Sequence, residues 1–204
     1  MSRVFFSPSA TRPSKPLLVV NGNNNFFGGN GNEVEGNSNI FIGQGNAPTS
    51  PMNNNTVIGD NNTDVDGDGH NIIGNANTVG GGDNNNVLGD SANVNGARNV
   101  AIGQNTEATG NDTVAIGTRA TTNGAGNVAI GRDSDATGAN SVAVGDGAQA
   151  TGDDSTALGD SANAQGEEST AVGQNAQALG EDSTAVDCPG AGSYTRFRHI
   201  HRGK

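Results

Sequence analysis

Two groups of residues have the type and spacing to hold a metal ion. Near the C-terminal end runs Tyr194-Thr-Arg-Phe-Arg-His199-Ile-His201-Arg-Gly-Lys204. On a strand, His199 and His201 point the same way. Three copies meeting on one axis would bring six imidazoles together, a donor set that suits iron or zinc. The second group is Asp64-Val-Asp66-Gly-Asp68-Gly69. Carboxylates at alternate positions and a glycine at the sixth match the first half of a calcium loop. The twelfth position is Asn75 rather than Glu, so the loop is incomplete and calcium is the weaker expectation. The competing reading is an Asp/Gly-rich bend that carries one extra residue. Cys188 stands beside Pro189, and a single cysteine excludes a disulfide framework and a four-cysteine zinc site. No nucleophile paired with a base and no phosphate loop stands out, and the Gly-x-Gly strings lack a strand-to-helix setting. The expectation is a protein that is not an enzyme and requires no cofactor.

The frame carrying these residues is set by glycine. The chain has 33 glycines in 204 residues, and fifteen of them fall every seven residues from Gly82 to Gly180. Alternate heptads differ, so the unit is fourteen. One half reads Asn99-Val-Ala-Ile-Gly103, Thr113-Val-Ala-Ile-Gly117 or Ser141-Val-Ala-Val-Gly145; the other reads Thr106-Glu-Ala-Thr-Gly110 or Ser134-Asp-Ala-Thr-Gly138. Upstream the unit loosens, with Gly43, Gly59, Gly74 and Gly89 at spacings of fifteen or sixteen. Glycine at every seventh position would cost a helical coiled coil about 1 kcal/mol each time. Period-2 alternation bounded by glycine is instead strand followed by turn. Two strands and two turns per fourteen residues make one coil of a β-solenoid, about eleven coils in all. The domain reading is an extended basic N-terminal arm at 1–20, Asn/Gly-rich irregular coils at 21–83, regular coils at 84–187 and a basic tail at 188–204.

Within each coil, the aliphatic residue before the first glycine (Ile102, Ile116, Ile130) is expected to point inward, with Val100 and its equivalents beside it. The facing strand supplies Ala and Thr. The residue between them would then point outward: Ala101, Ala115, Ala129, Ala143, Ala157, Ala171 and Ala185. That small-residue row is the expected interface for close packing of chains, and an apolar outward stripe predicts an oligomer. Corner Asn and Asp residues are expected to make turn hydrogen bonds and stacked ladders. Rows of Thr are not aligned in every coil, which argues against ice binding.

The run Asn140-Ser-Val-Ala-Val-Gly145 and its relatives resemble the head repeats of trimeric autotransporter adhesins. The resemblance is close over 84–186 and looser over 21–83. It implies an all-β fold, a left-handed parallel β-roll assembled as a homotrimer. Such repeats also occur in phage fibres, and His-x-His near the end of a trimeric fibre resembles the iron-binding tips of some phage spikes.

Charge shapes the choice of partner. Residues 1–20 and 188–204 hold three and four basic residues and no acid, whereas 21–187 holds three basic and 21 acidic residues. The acidic body repels nucleic acid, and no apolar run reaches the ~20 residues of a membrane span. The N-terminus lacks the apolar segment of a secretion signal, and no stalk or anchor segment is recognisable. These features lead to the expectation of a structural fibre or decoration protein of a phage virion. It would dock on capsid or tail proteins through its basic ends and contribute to host attachment through a surface receptor. The basic ends also read as plain polar tails. The alternative is a cell-surface or secreted adhesin head module that binds host or matrix ligands.

Overall fold

The structure is a computed structural model, and it describes residues 20–187 apart from Glu33 and Ser50. The chain winds as a parallel β-solenoid. A twelve-stranded sheet runs from Phe26–Gly28 to Thr184–Val186, and a ten-stranded sheet from Ala47–Pro48 to Gln177–Ala178. A two-stranded sheet, Val20–Asn21 with Val34–Glu35, stands beside the first coil. Successive strands of each sheet come from successive coils and pair in parallel. Val100, Ala101 and Ile102 lie beside Val114, Ala115 and Ile116 one coil on. Coils therefore stack at the ordinary strand spacing of about 4.8 Å. The fourteen-residue unit and the all-β class expected from the sequence hold. From Phe41 to Val57 the coil takes sixteen residues, and from Val57 to Val87 it takes fifteen.

Two residues make each bend. In the coil ending at Gly103, that glycine has φ +135°, and Asn105, two residues later, has φ +54°. A side chain at Gly103 would also place its Cβ 2.5 Å from the carbonyl oxygen of Gly117 in the next coil. Backbone conformation and coil-to-coil contact thus exclude a side chain together. The second bend position takes Asn, Asp, Ser or Gly in most coils, residues that tolerate the left-handed region.

The interior reverses the expected sidedness. Ala101, Ala115, Ala129, Ala143, Ala157, Ala171 and Ala185 are buried inside the coil, at 0–1% exposure. The flanking aliphatics point out: Leu88 is 51% exposed, Ile73 45% and Leu158 46%. Each three-residue strand except Thr63–Val65 turns its middle residue inward and its two flanks outward. A regular coil then encloses four inward side chains, such as Asn99, Ala101, Thr106 and Ala108. In the regular coils the space between the two short strands is filled by alanine against alanine. The Ala row is core, and it cannot serve as the interface between chains.

The first coils are wider inside. There the inward positions hold Phe27, Phe41, Val57, Ile72 and Val87, opposite Val34, Val65, Val79 and Val94. Buried asparagines fill the remaining inward positions as two ladders. Asn46, Asn62 and Asn77 each pass a backbone N–H to the Oδ1 of the preceding ladder residue. Their Nδ2 groups donate to the corner carbonyls of Gly59, Gly74 and Gly89 at 2.8–2.9 Å. The second ladder climbs through Asn39, Asn55, His70, Asn85 and Asn99. Each buried amide thus satisfies a backbone group that a bend leaves open.

Candidate interaction surfaces

The three aspartates of the calcium candidate have definite places. Asp64 and Asp66 are exposed, and Asp64 is the extra residue of its coil. Two residues separate inward Asn62 and Val65, where a regular coil has only Glu107 between Thr106 and Ala108. Asp64 takes φ +51° to absorb the insertion, as a bulge does. Asp68 is occupied by the ladder of the same corner. Its Oδ1 accepts the Asn53 backbone N–H at 2.6 Å, and its own N–H donates to Asp83 Oδ1. Among the described residues, no three His, Cys, Asp or Glu side chains come close enough to hold an ion. His199, His201 and Cys188 lie outside the described residues.

The sequence reading passed over His70. It is fully buried and takes an asparagine position in the second ladder. The Asn85 N–H donates to Nδ1 at 3.1 Å, so the ring proton sits on Nε2 and is donated to the Asp66 carbonyl at 3.0 Å. The ring fills the same two roles as an asparagine amide, one acceptor and one donor.

All three basic residues of the body are paired, each with an aspartate fourteen residues ahead. Arg98 grips Asp112 with two bonds of 2.6 and 2.7 Å, and Arg119 grips Asp133 with 2.5 and 2.6 Å. Arg132 does the same to Asp146. The guanidinium hydrogen bonds hold the carboxyls of Asp112 and Asp133 below the usual range. These pairs tie neighbouring coils together at exposed corners. The fourteen-residue spacing carries the signal for them in the sequence. Beyond Arg132 the corners are acidic only, with Asp153–Asp154, Glu167–Glu168 and Glu181–Asp182 on one edge of three successive coils.

The two outer faces differ in chemistry. The ten-stranded sheet presents Glu107, Thr121, Asp135, Gln149, Asn163 and Gln177 in one column. Asp135 Oδ1 is buried there without a hydrogen-bond partner. Burial, with the nearby Glu107 charge, pushes its carboxyl above the usual range. The twelve-stranded sheet carries a continuous aliphatic column outside, from Ile42 to Val186. Among the described residues, eight of nine exposed large hydrophobic residues lie on this sheet: Phe26, Ile40, Ile42, Ile73, Leu88, Ile130, Leu158 and Val186. Single exposed apolar side chains need no explanation, but a continuous apolar sheet face marks an interaction surface.

Residues 108–134, 136–162 and 164–186 match the YadA head domain repeat (2 copies). These coils are similar to YadA head repeats. Head domains of that family form homotrimers, and the adhesins that carry them are non-enzymatic proteins of the bacterial cell surface. The matched segments run from Ala108 to Val186, within the regular coils whose interior is alanine. No curated protein matches the chain.

Proposed function

We propose that this roll is an adhesin head module that works as a homotrimer at a bacterial surface. The supporting observation is the apolar outer face of the twelve-stranded sheet, running along coils of a family whose head domains trimerise. Three such faces meet around a common axis. Each Val, Ile or Leu covered there contributes about 1.5–3 kcal/mol when fully buried. The core of each coil is mostly alanine in the matched region, so much of the apolar burial available to these residues lies between chains. The polar ten-stranded faces and the acidic corners then point outward, as the surface offered to host or matrix ligands. The family match supports this reading over the virion fibre, for which no matched family speaks.

Native mass spectrometry tests the assembly. The full chain is expected at about 61 kDa, three times 20.3 kDa. Replacing Ile116→Asp together with Ile130→Asp should convert it to monomer, whereas Gln149→Asp with Gln177→Asp on the opposite face should leave the trimer intact. Binding of the purified trimer to immobilised matrix proteins and host-cell surfaces tests the adhesive role. A trimer that adheres to neither class of surface would count against the adhesin assignment while leaving the assembly standing.

A further inference from the structure

The outer face of the twelve-stranded sheet has two columns. One is aliphatic from Ile42 to Val186. The other starts with Phe26 and Ile40, turns polar at Thr56, Asn71 and Asn86, becomes apolar again at Val100, Val114, Val128 and Val142, and ends on Thr156, Thr170 and Thr184. Asn71 and Asn86 are exposed and adjacent, and Asn71 Nδ2 donates to Asn86 Oδ1 at 3.0 Å. That bond leaves Asn71 Oδ1 as an open acceptor and Asn86 Nδ2 as an open donor, in the midst of apolar surface.

The regular coils cannot by themselves fix how chains align. From Val100 to Val142 a slip of one coil, about 4.8 Å, sets valine against valine and isoleucine against a near equivalent. The asparagine pair breaks that degeneracy. In alignment, each chain offers one donor and one acceptor at the same height, so amides pair from chain to chain around the axis. After a one-coil slip, Asn86 faces Val100, and its open Nδ2 is covered with no partner, a state that buried polar groups avoid. A polar residue in an apolar seam sets register in the same way in helical assemblies.

We infer that Asn71 and Asn86 are the register-setting residues of the assembly between copies of this chain. This rests on the trimer reading above. The test mixes two populations of full-length chain, both carrying Cys188→Ser. One population bears Ile102→Cys and is isotope-labelled, and the other bears Ile116→Cys. These positions are one coil apart, about 4.8 Å along the axis, and with the gap between chains added they lie beyond the ~3.5–4.5 Å Cβ separation of a disulfide. Disulfides between the two populations therefore form only where chains have slipped.

With Asn71 and Asn86 present, such mixed disulfides should be under about one-twentieth of the total, on a trimer by native mass spectrometry. With Asn71→Val and Asn86→Val they should rise at least fivefold. Moving the pair one coil, by Asn71→Val with Val100→Asn, should return them to the parental level. The move also separates loss of register from loss of folding. Unchanged mixed disulfides in a trimeric Asn71→Val/Asn86→Val variant would overturn the inference alone. A monomeric parent would overturn the trimer reading and this inference with it.

Discussion

The coils before Asn99 and those after it solve one problem with different residues. Both must fill a narrow tube and satisfy the backbone at two bends per coil. The early coils use Phe, Val and Ile against Val and cap the bends with buried asparagine ladders. The later coils use Ala against Ala, replace the ladder by Ser141, Ser155, Ser169 and Ser183, and add Arg–Asp pairs at the corners. The glycine bends are common to both. A solenoid bore is thus set coil by coil, and side-chain size inside can change along the axis while stacking continues.

The largest effects should come from exchanging the two fillings. Phe41 is fully buried in the wide part. Phe41→Ala should cost about 3–5 kcal/mol, the range for emptying a packed aromatic site. Ala143 sits in the narrow part, fully buried. Ala143→Val should also destabilise, by about 1–3 kcal/mol, because the added methyl groups have no space. Urea denaturation of both variants checks this. If Ala143→Val stabilised the roll, the late coils would have spare room and the contrast would fail.

Much of this architecture is legible in the sequence. The glycine heptads give the bends, and Val-Ala-Ile gives the strands. Which face of the strand turns in is not given by the alternation. Val100 and Ile102 share one side and Ala101 takes the other, and hydropathy alone sends the larger pair inward. The deciding constraint is the bend, whose open carbonyl calls for an inward polar side chain. Asn99 has the same parity as Ala101, and its amide must reach the Gly110 carbonyl across the bend, at 2.8 Å. Reading the asparagine as an inward cap would have placed Ala101 inside with it. The Arg98–Asp112 spacing of one coil was equally readable. His70 was not, because nothing local marks a histidine as a substitute for a ladder amide.

A second exchange sharpens the contrast between ladders. Asn62 accepts the Asn77 N–H and donates to Gly74 O, fully buried. Asn62→Ala strands both partners and should cost about 1–3 kcal/mol. Ser155 Oγ is buried with no hydrogen-bond partner. Ser155→Ala removes an unpaired hydroxyl and should leave stability unchanged or raise it by less than about 1 kcal/mol. A large loss at Ser155 would mean that an ordered water completes the late ladder. A crystal structure of the parent would then show it.

The smallest expected effect is electrostatic and belongs to the later coils. Asp135 has its carboxyl raised by burial and by Glu107. Its ionised form is therefore disfavoured in the folded roll, and that penalty is present above its folded pKa and fades as pH falls and the group protonates. Asp135→Asn should raise the melting temperature at pH 7 by ~1 °C, given its partial exposure. The gain should disappear once the pH is below the ordinary aspartate value of about 3.9. Asp112 and Asp133 behave in the opposite sense. Their carboxyls are lowered by Arg98 and Arg119, so their contribution is present above about pH 3.9 and is lost as pH falls through their depressed values. Hydrogen exchange at stepped pH separates the two regions. Acid should loosen the corners around Asp112 and Asp133 while the uncharged asparagine ladder from Asn46 to Asn77 keeps its protection. Equal loss in both regions would show that the corner pairs contribute nothing specific to the later coils.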